Sequence, residues 1–195
     1  MKTLAEQKPW TVLSYTRLID TPYLSVRCEQ VAIPDGPTLH DYYIIENFGW
    51  VGIVPVTADG CFLLNRQYKH GIGLEVLEFP AGGIDPHERD EPVLTAHREL
   101  MEESGYSVAP EDMILLAHMY ANPTGAETRI WWYLAQNIQL TGEQKIDPVE
   151  VIENMLVTPQ ELLQLIATGQ FAVQGQIAAA YMALERLGYL RSTFE

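Results

Sequence analysis

Between residues 10 and 46 apolar and polar positions alternate, broken by Pro22 and by Ile33-Pro34-Asp35-Gly36-Pro37. Alternation with period two predicts half-buried strands, here short ones with a hairpin at the Pro-Asp-Gly-Pro turn. Two denser apolar runs follow at 50–57 and 61–68, joined by Ala58-Asp59-Gly60. An Asp-Gly turn between such runs predicts two adjacent antiparallel strands at the centre of a sheet. Another short strand is predicted over 75–79, followed by a loop through the breakers Pro80-Ala81-Gly82-Gly83 and Asp85-Pro86-His87. The period then becomes helical: Asp90 is the expected N-cap, Glu91 and Pro92 fall in the first turn, and Gly105 is the expected stop. Strands are predicted over 113–120, 129–135 and 151–157, then a helix capped by Thr158 with Glu161 in capping-box spacing, then a last helix over 174–187. Strands and helices mix without a repeat or a linker, so the class is mixed α and β.

Length and composition narrow this picture. A chain of 195 residues that is 47% hydrophobic fits one domain with a modest extension. Twelve Lys and Arg against 26 Asp and Glu leave a net charge of −14, which opposes nucleic-acid backbones and anionic membrane surfaces. Small phosphorylated molecules remain open as ligands, because a few cations or bound metal ions reshape the field inside a cleft. Cys28 and Cys61 have neither disulfide-framework nor zinc-ligand spacing. The opening MKTLAEQKPW lacks the apolar core of a secretory signal, and no stretch approaches the roughly 20 apolar residues of a membrane span, so a soluble cytoplasmic protein is expected. His40, His70, His87, His97 and His118 share no ligand spacing, and Gly71 and Gly73 precede no nucleotide-binding helix.

The chemistry concentrates on the helix that ends at Gly105. Val93, Ala96, His97 and Leu100 fall on one side at helical spacing, and Thr95, Glu99, Glu102 and Glu103 on roughly the other. Residues three and four apart have Cβ atoms about 5–6 Å from each other, so the three glutamates should repel and invite a cation. Hard carboxylate oxygens favour Mg²⁺, with Mn²⁺ able to substitute. Such a trio by itself is more often a solvated face. The bare bend Ala81-Gly82-Gly83 just before the helix alters that balance, since a main-chain carbonyl there could complete a coordination shell.

These residues resemble the Nudix hydrolases, whose signature runs Gly-x5-Glu-x7-Arg-Glu-apolar-x-Glu-Glu-x-Gly-apolar. Arg98-Glu99-Leu100-Met101-Glu102-Glu103-Ser104-Gly105-Tyr106 matches its second half, with Tyr106 as the bulky apolar residue. In the first half Glu88 stands at the expected distance from Gly82, but Arg98 comes two residues late. Counted back from Arg98, Asp90 takes the place of the first Glu, so the sequence leaves open which of Glu88 and Asp90 supports the loop.

The resemblance implies an α+β fold, an α/β/α sandwich with a mixed sheet over residues 49–195, preceded by a β extension over 1–48. It also implies metal ligation by Glu99, Glu103, Glu102 and the Ala81 carbonyl, with Arg98 as structural support. The pattern of Leu63-Leu64-Asn65-Arg66-Gln67-Tyr68-Lys69 and of Leu77-Glu78-Phe79-Pro80-Ala81-Gly82 is similar to the branch that hydrolyses ADP-ribose and nucleotide sugars. Arg66, Lys69 and Glu78 are the implied substrate contacts. Lys69 stands where that branch has Arg, which keeps the charge and loses the bidentate fork. Ala121-Asn122-Pro123-Thr124-Gly125-Ala126-Glu127-Thr128 resembles the loop that carries an acid toward the metals, making Glu127 the candidate base, with Glu102 counted among the catalytic residues as a further ligand or water-mediated partner. The expected activity is Mg²⁺-dependent cleavage of the pyrophosphate link of a nucleoside diphosphate derivative by a homodimer whose extension helps build the cleft. The competing expectation is a catalytically silent nucleotide sensor.

Overall fold

The computed structural model describes residues 8–190 apart from Tyr23, Phe48, Pro86 and Arg89, and divides the chain into two units. Residues 1–7, read above as part of the extension, and Pro86 of the breaker-rich loop lie outside the described residues.

One unit joins Met1–Asn47 to Tyr120–Thr128. Its three strands, β1 (Thr11–Asp20), β2 (Ser25–Ala32) and β3 (Thr38–Glu46), form an antiparallel sheet in the order β1-β2-β3. They are longer than the short strands expected, at 10, 8 and 9 residues, because register shifts within each pairing absorb the irregular positions. Pro22 does fall between β1 and β2, where the Thr21 hydroxyl accepts the Leu24 N–H at 2.9 Å. The Pro-Asp-Gly-Pro turn also forms, with Asp35 at φ 58° and the Gly36 N–H donating to Ile33 O at 3.1 Å. Segment 120–128 docks beside β3 through Ile45 N–H to Gly125 O at 2.8 Å and Glu127 N–H to Ile45 O at 3.1 Å.

The other unit, Phe48–Met119 with Arg129–Glu195, holds an eight-stranded mixed sheet and three α-helices among the described residues. Its elements are β4 (Trp50–Thr57), β5 (Phe62–Lys69), β6 (Leu74–Glu78), β7 (Ala81–Gly83), α1 (Pro92–Ser104), β8 (Tyr106–Ser107), β9 (Ile114–Tyr120), β10 (Arg129–Leu140), β11 (Ile152–Val157), α2 (Pro159–Ala167) and α3 (Gln174–Arg186). The central order is β11-β5-β4-β10-β8, with β4 and β10 parallel. Alternate residues of β4 feed two cores: Val54 and Val56 with Phe62, Leu64, Trp132 and the buried faces of α2 and α3, and Val51 and Ile53 with Leu63, Tyr133, Ala96 and Leu100 of α1. Burial on both faces explains why β4 reads as a continuous apolar run. Helices cover both sides of a mixed sheet, so this unit has the expected α/β/α layering. No helix among the described residues is long and apolar enough to cross a membrane.

Among the described residues the predicted β4–β5 pair is in register only at Val56 and Phe62, beside the Thr57 N–H that donates to Cys61 O at 2.9 Å. Beyond that contact β5 pairs with β6, β4 pairs with β7, and the Ile53 N–H donates to Pro80 O at 2.9 Å. Residues 74–83 therefore fill the gap between two splaying central strands. Gln176 of α3, 1% exposed, clamps the middle of this wedge by accepting the Phe79 N–H at 2.8 Å and donating to Phe79 O at 3.3 Å. A glutamine in line with the small buried residues Ala179, Ala180 and Ala183 is the sequence signal for such a clamp.

Candidate active site

Helix α1 begins one turn residue later than expected. Glu91 occupies the N-cap without a side-chain cap, and Pro92 opens the helix, as its missing N–H and preset φ allow. Asp90 is therefore not the cap. Of the two acids, Glu88 accepts the Thr95 hydroxyl at 2.8 Å and Arg98 Nη2 at 3.3 Å, whereas Asp90 enters no ion pair among the described residues. Burial works to raise Glu88, but the Thr95 and Arg98 hydrogen bonds outweigh it and hold the carboxyl below its ordinary range. Gly105 closes the helix as expected, at φ 74° with its N–H on Met101 O, and Lys145 N–H satisfies Glu102 O at 2.8 Å.

The glutamates do not form the exposed face that periodicity suggested. Thr95 is fully buried and Glu103 is 4% exposed, because α1 turns Ala96 and Leu100 into the core beneath the sheet and lays Glu99 and Glu103 against β7. Nor is their repulsion left to a metal alone. Arg98 Nη1 contacts Glu99 at 2.8 Å and Glu102 at 3.0 Å, and Glu99, Glu102 and Glu103 do not all three bring an oxygen within 4.8 Å of both others. The one group of potential ligands among the described residues that does so is Asp85, His87 and Glu88, so His87 stands beside two acids despite lacking ligand spacing in sequence. Arg98 balances that group too, at 3.3 Å from Glu88 and 3.9 Å from Asp85.

Glu103 is the most perturbed acid. Its Oε2 accepts Asn65 Nδ2 at 2.8 Å and the Ala81 N–H at 3.1 Å, while burial and then the nearby Glu99 push its pKa up to about 8. Burial raises Glu99 as well, with Arg98 partly offsetting it. A Cβ built on Gly82 would stand 2.0–2.4 Å from the Glu99 carboxylate, so only glycine leaves that carboxylate its place. Two hard, desolvated carboxyl groups facing a bare backbone strand fit a divalent cation, whose charge would offset the burial that otherwise disfavours their ionisation. In the metal-free protein the sign follows directly: a carboxyl with a raised folded-state pKa holds its proton between about 4.5 and about 8 while the unfolded chain has lost it. The thermal midpoint of the wild type, measured in chelator against Glu103→Gln, should therefore fall as pH rises through that window. A parallel pair of curves would show that Glu103 is not desolvated.

The substrate candidates divide. Glu78 is 5% exposed and lies 2.5 Å from Lys69 Nζ, with Gln67 Nε2 donating to the same oxygen. Arg66 points to the opposite face of β5 and meets the exposed Glu153 at 3.4 Å, so it does not join Lys69 and Glu78. Glu127 belongs to the N-terminal unit, where Arg27 Nη2 holds it at 2.6 Å while the same guanidinium holds Glu29 and Glu46. Asn65 and Gln67 escaped the sequence reading, although polar residues at alternate, inward positions of an otherwise apolar strand mark a buried polar site.

Comparison with known proteins bears on this arrangement. A NUDIX domain model matches residues 49–177. An ADP-ribose pyrophosphatase of Bacillus subtilis (strain 168) is 26% identical over 187 residues, covering 95% of this chain and 96% of the relative. Another ADP-ribose pyrophosphatase, from Mycobacterium tuberculosis (strain ATCC 25618 / H37Rv), is 31% identical over 118 residues, covering 60% and 55%. The crystal structure of an ADP compounds hydrolase superposes with a TM-score of 0.80 at 21% identity, covering 95% of this chain and 98% of that one. With the domain match spanning the sheet, the loop at Gly82 and the acids of α1, the chain belongs to the Nudix hydrolase family.

Proposed function

We propose that this Nudix hydrolase uses Mg²⁺, or Mn²⁺ in its place, to cleave the pyrophosphate link of ADP-ribose or a related nucleoside diphosphate sugar, releasing a nucleoside monophosphate and a sugar phosphate. The observation that carries the metal dependence is Glu103, a buried carboxyl held by the Ala81 N–H and Asn65 beside a Glu99 that only a glycine accommodates. The substrate class rests on the two ADP-ribose pyrophosphatases, one of them similar along nearly the whole chain. Glu99 and Glu103, with the Ala81 carbonyl and Glu102, hold the cation. Once bound, it supplies charge neutralisation of the diphosphate and a more acidic water for in-line attack at phosphorus. Arg98 orients Glu99 and Glu102 through its guanidinium fork. Lys69, braced by Glu78, offers a cation to a substrate phosphate. The general base is identified by comparing kcat across pH for Glu127→Gln and Glu102→Gln, the larger loss marking the base.

A panel of ADP-ribose, ADP-glucose, GDP-mannose, UDP-sugars and dinucleoside polyphosphates, each with Mg²⁺ and with Mn²⁺, tests the reading. ADP-ribose or a nucleotide sugar should give monophosphate and sugar phosphate at the highest kcat/KM. Tight binding without product from any of them would indicate a nucleotide sensor instead.

The working form is a homodimer built through the N-terminal sheet. What supports this is β1, exposed along its whole length with Val12, Leu13, Tyr15, Leu18 and Ile19 all 42–60% exposed, an apolar edge that an isolated chain leaves open to strand pairing. Light scattering should give twice the 22.0 kDa chain mass, and Val12→Glu with Leu18→Glu should halve it. A monomeric wild type would reject the dimer.

A further inference from the structure

The row of side chains beneath Glu103 contains a polar residue whose placement costs stability. Asn65 of β5 is fully buried, with Glu78 of β6 as its partner across one edge and Asn154 of β11 across the other. Its amide Nδ2 donates to Glu103 Oε2, but its Oδ1 is buried with no hydrogen-bond partner among the described residues. An unsatisfied buried carbonyl oxygen forfeits its hydration without return, so an apolar, β-branched residue would suit this position of a central strand better on packing grounds alone. The penalty attaches to a residue whose one hydrogen bond goes to the most perturbed acid of the site.

We propose that Asn65 is a positioning residue that presents Glu103 to the divalent cation through a chosen oxygen. Asn65 Nδ2 and the Ala81 N–H both donate to the same atom, Oε2, one from the central strand β5 and the other from the loop strand β7. Two donors on one oxygen lock the rotation of the carboxyl group and leave Oε1 as the atom with open lone pairs. A carboxylate held by the Ala81 N–H alone could turn about its terminal bond, since that torsion is broad and roughly two-fold. Asn65 thus confers a single orientation, and its stranded Oδ1 is the stability given up for it. This inference rests on the metal reading above.

The test measures Mn²⁺ binding to the full-length protein in the absence of substrate, by calorimetry and by loss of the free-ion electron paramagnetic resonance signal. Asn65→Val should raise the Mn²⁺ dissociation constant by about 10-fold, the low end for loss of a residue that orients a ligand, while the thermal midpoint in chelator does not fall. Turnover at saturating Mn²⁺ should recover toward the wild type. Asn65→Ser, which removes the amide without adding bulk, decides by the same criterion should the valine variant not fold. A lowered midpoint with unchanged Mn²⁺ affinity would make Asn65 a packing residue and overturn the proposal. Glu103→Gln measured alongside separates the two levels: loss of Mn²⁺ binding in that variant with full binding in both Asn65 variants rejects the inference alone, whereas unaltered binding in Glu103→Gln rejects the metal reading beneath it.

Discussion

Glu103→Gln should reduce metal-dependent hydrolysis by roughly 10²–10³-fold, the scale seen when one preorganised electrostatic partner is removed from an active site, and leave the fold intact. Glutamine keeps the shape of the side chain, and its carbonyl oxygen can still accept from the Ala81 N–H and from Asn65 Nδ2, so both contacts that seat Glu103 persist. What disappears is the negative charge. In the metal-free protein that charge is disfavoured by burial and by Glu99, so its removal relieves the folded state rather than harming it. With a cation present the same charge is the attraction that holds it. Activity and stability should therefore move in opposite directions, which a misfolding substitution does not do. Turnover followed across a wide range of Mg²⁺ concentration, with circular dichroism and thermal midpoints in chelator, checks this. Wild-type turnover would remove Glu103 from the metal site.

The contrast between Glu103 and its helix shows where sequence reading stops. Local signals carried far: β4 matches its predicted limits because both its faces are buried and the Ala58-Asp59-Gly60 turn ends it, and the Thr158–Glu161 capping box forms with both of its hydrogen bonds. Gly105 stops α1 as a left-handed cap. The Arg98–Glu102 pair stands at i and i+4, within reach of spacing arguments, whereas the contact of Arg98 with Glu88 depends on the course of the loop before the helix. Strand β7 carries no strand signal in sequence, since Ala81-Gly82-Gly83 has almost no side chains to show a period; its pairing with Trp50, Val51 and Gly52 is tertiary. Strand β10 runs past the expected Ala135 to Leu140 by placing Asn137 in the left-handed region at φ 56°, a bulge that periodicity reads as an end. Glu103 looks like one of three solvated acids until β5 and β7 close over it. Arg27 and Glu127 lie 100 residues apart, and only the docking of segment 120–128 beside β3 brings them together.

Gly82→Ala should lower kcat/KM by on the order of 10²-fold, as a misplacement of about 1 Å does at a metal-assembled site, with little change in stability. The new methyl would fall 2.0 Å from Glu99 Cδ, 2.1 Å from Oε1 and 2.4 Å from Oε2, far inside van der Waals contact. Something must yield, and the two partners differ in stiffness. Gly82 sits in β7, pinned through Ala81 and Gly83 to β4, whereas the Glu99 carboxylate ends a flexible side chain already in contact with Arg98. The carboxylate is therefore displaced and the strand stays. Because Gly82 lies outside the left-handed region in which only glycine is at ease, alanine adds no backbone strain there. At Gly105, with φ 74° and a built Cβ 2.4 Å from Gly142 O, the same exchange strains the backbone and meets a main-chain atom that cannot swing aside, so stability is lost. The pair distinguishes a glycine kept for the acid it faces from one kept for the turn it makes. If Gly82→Ala turned over substrate like the wild type with an unaltered Mg²⁺ requirement, Glu99 would have no part in holding the metal.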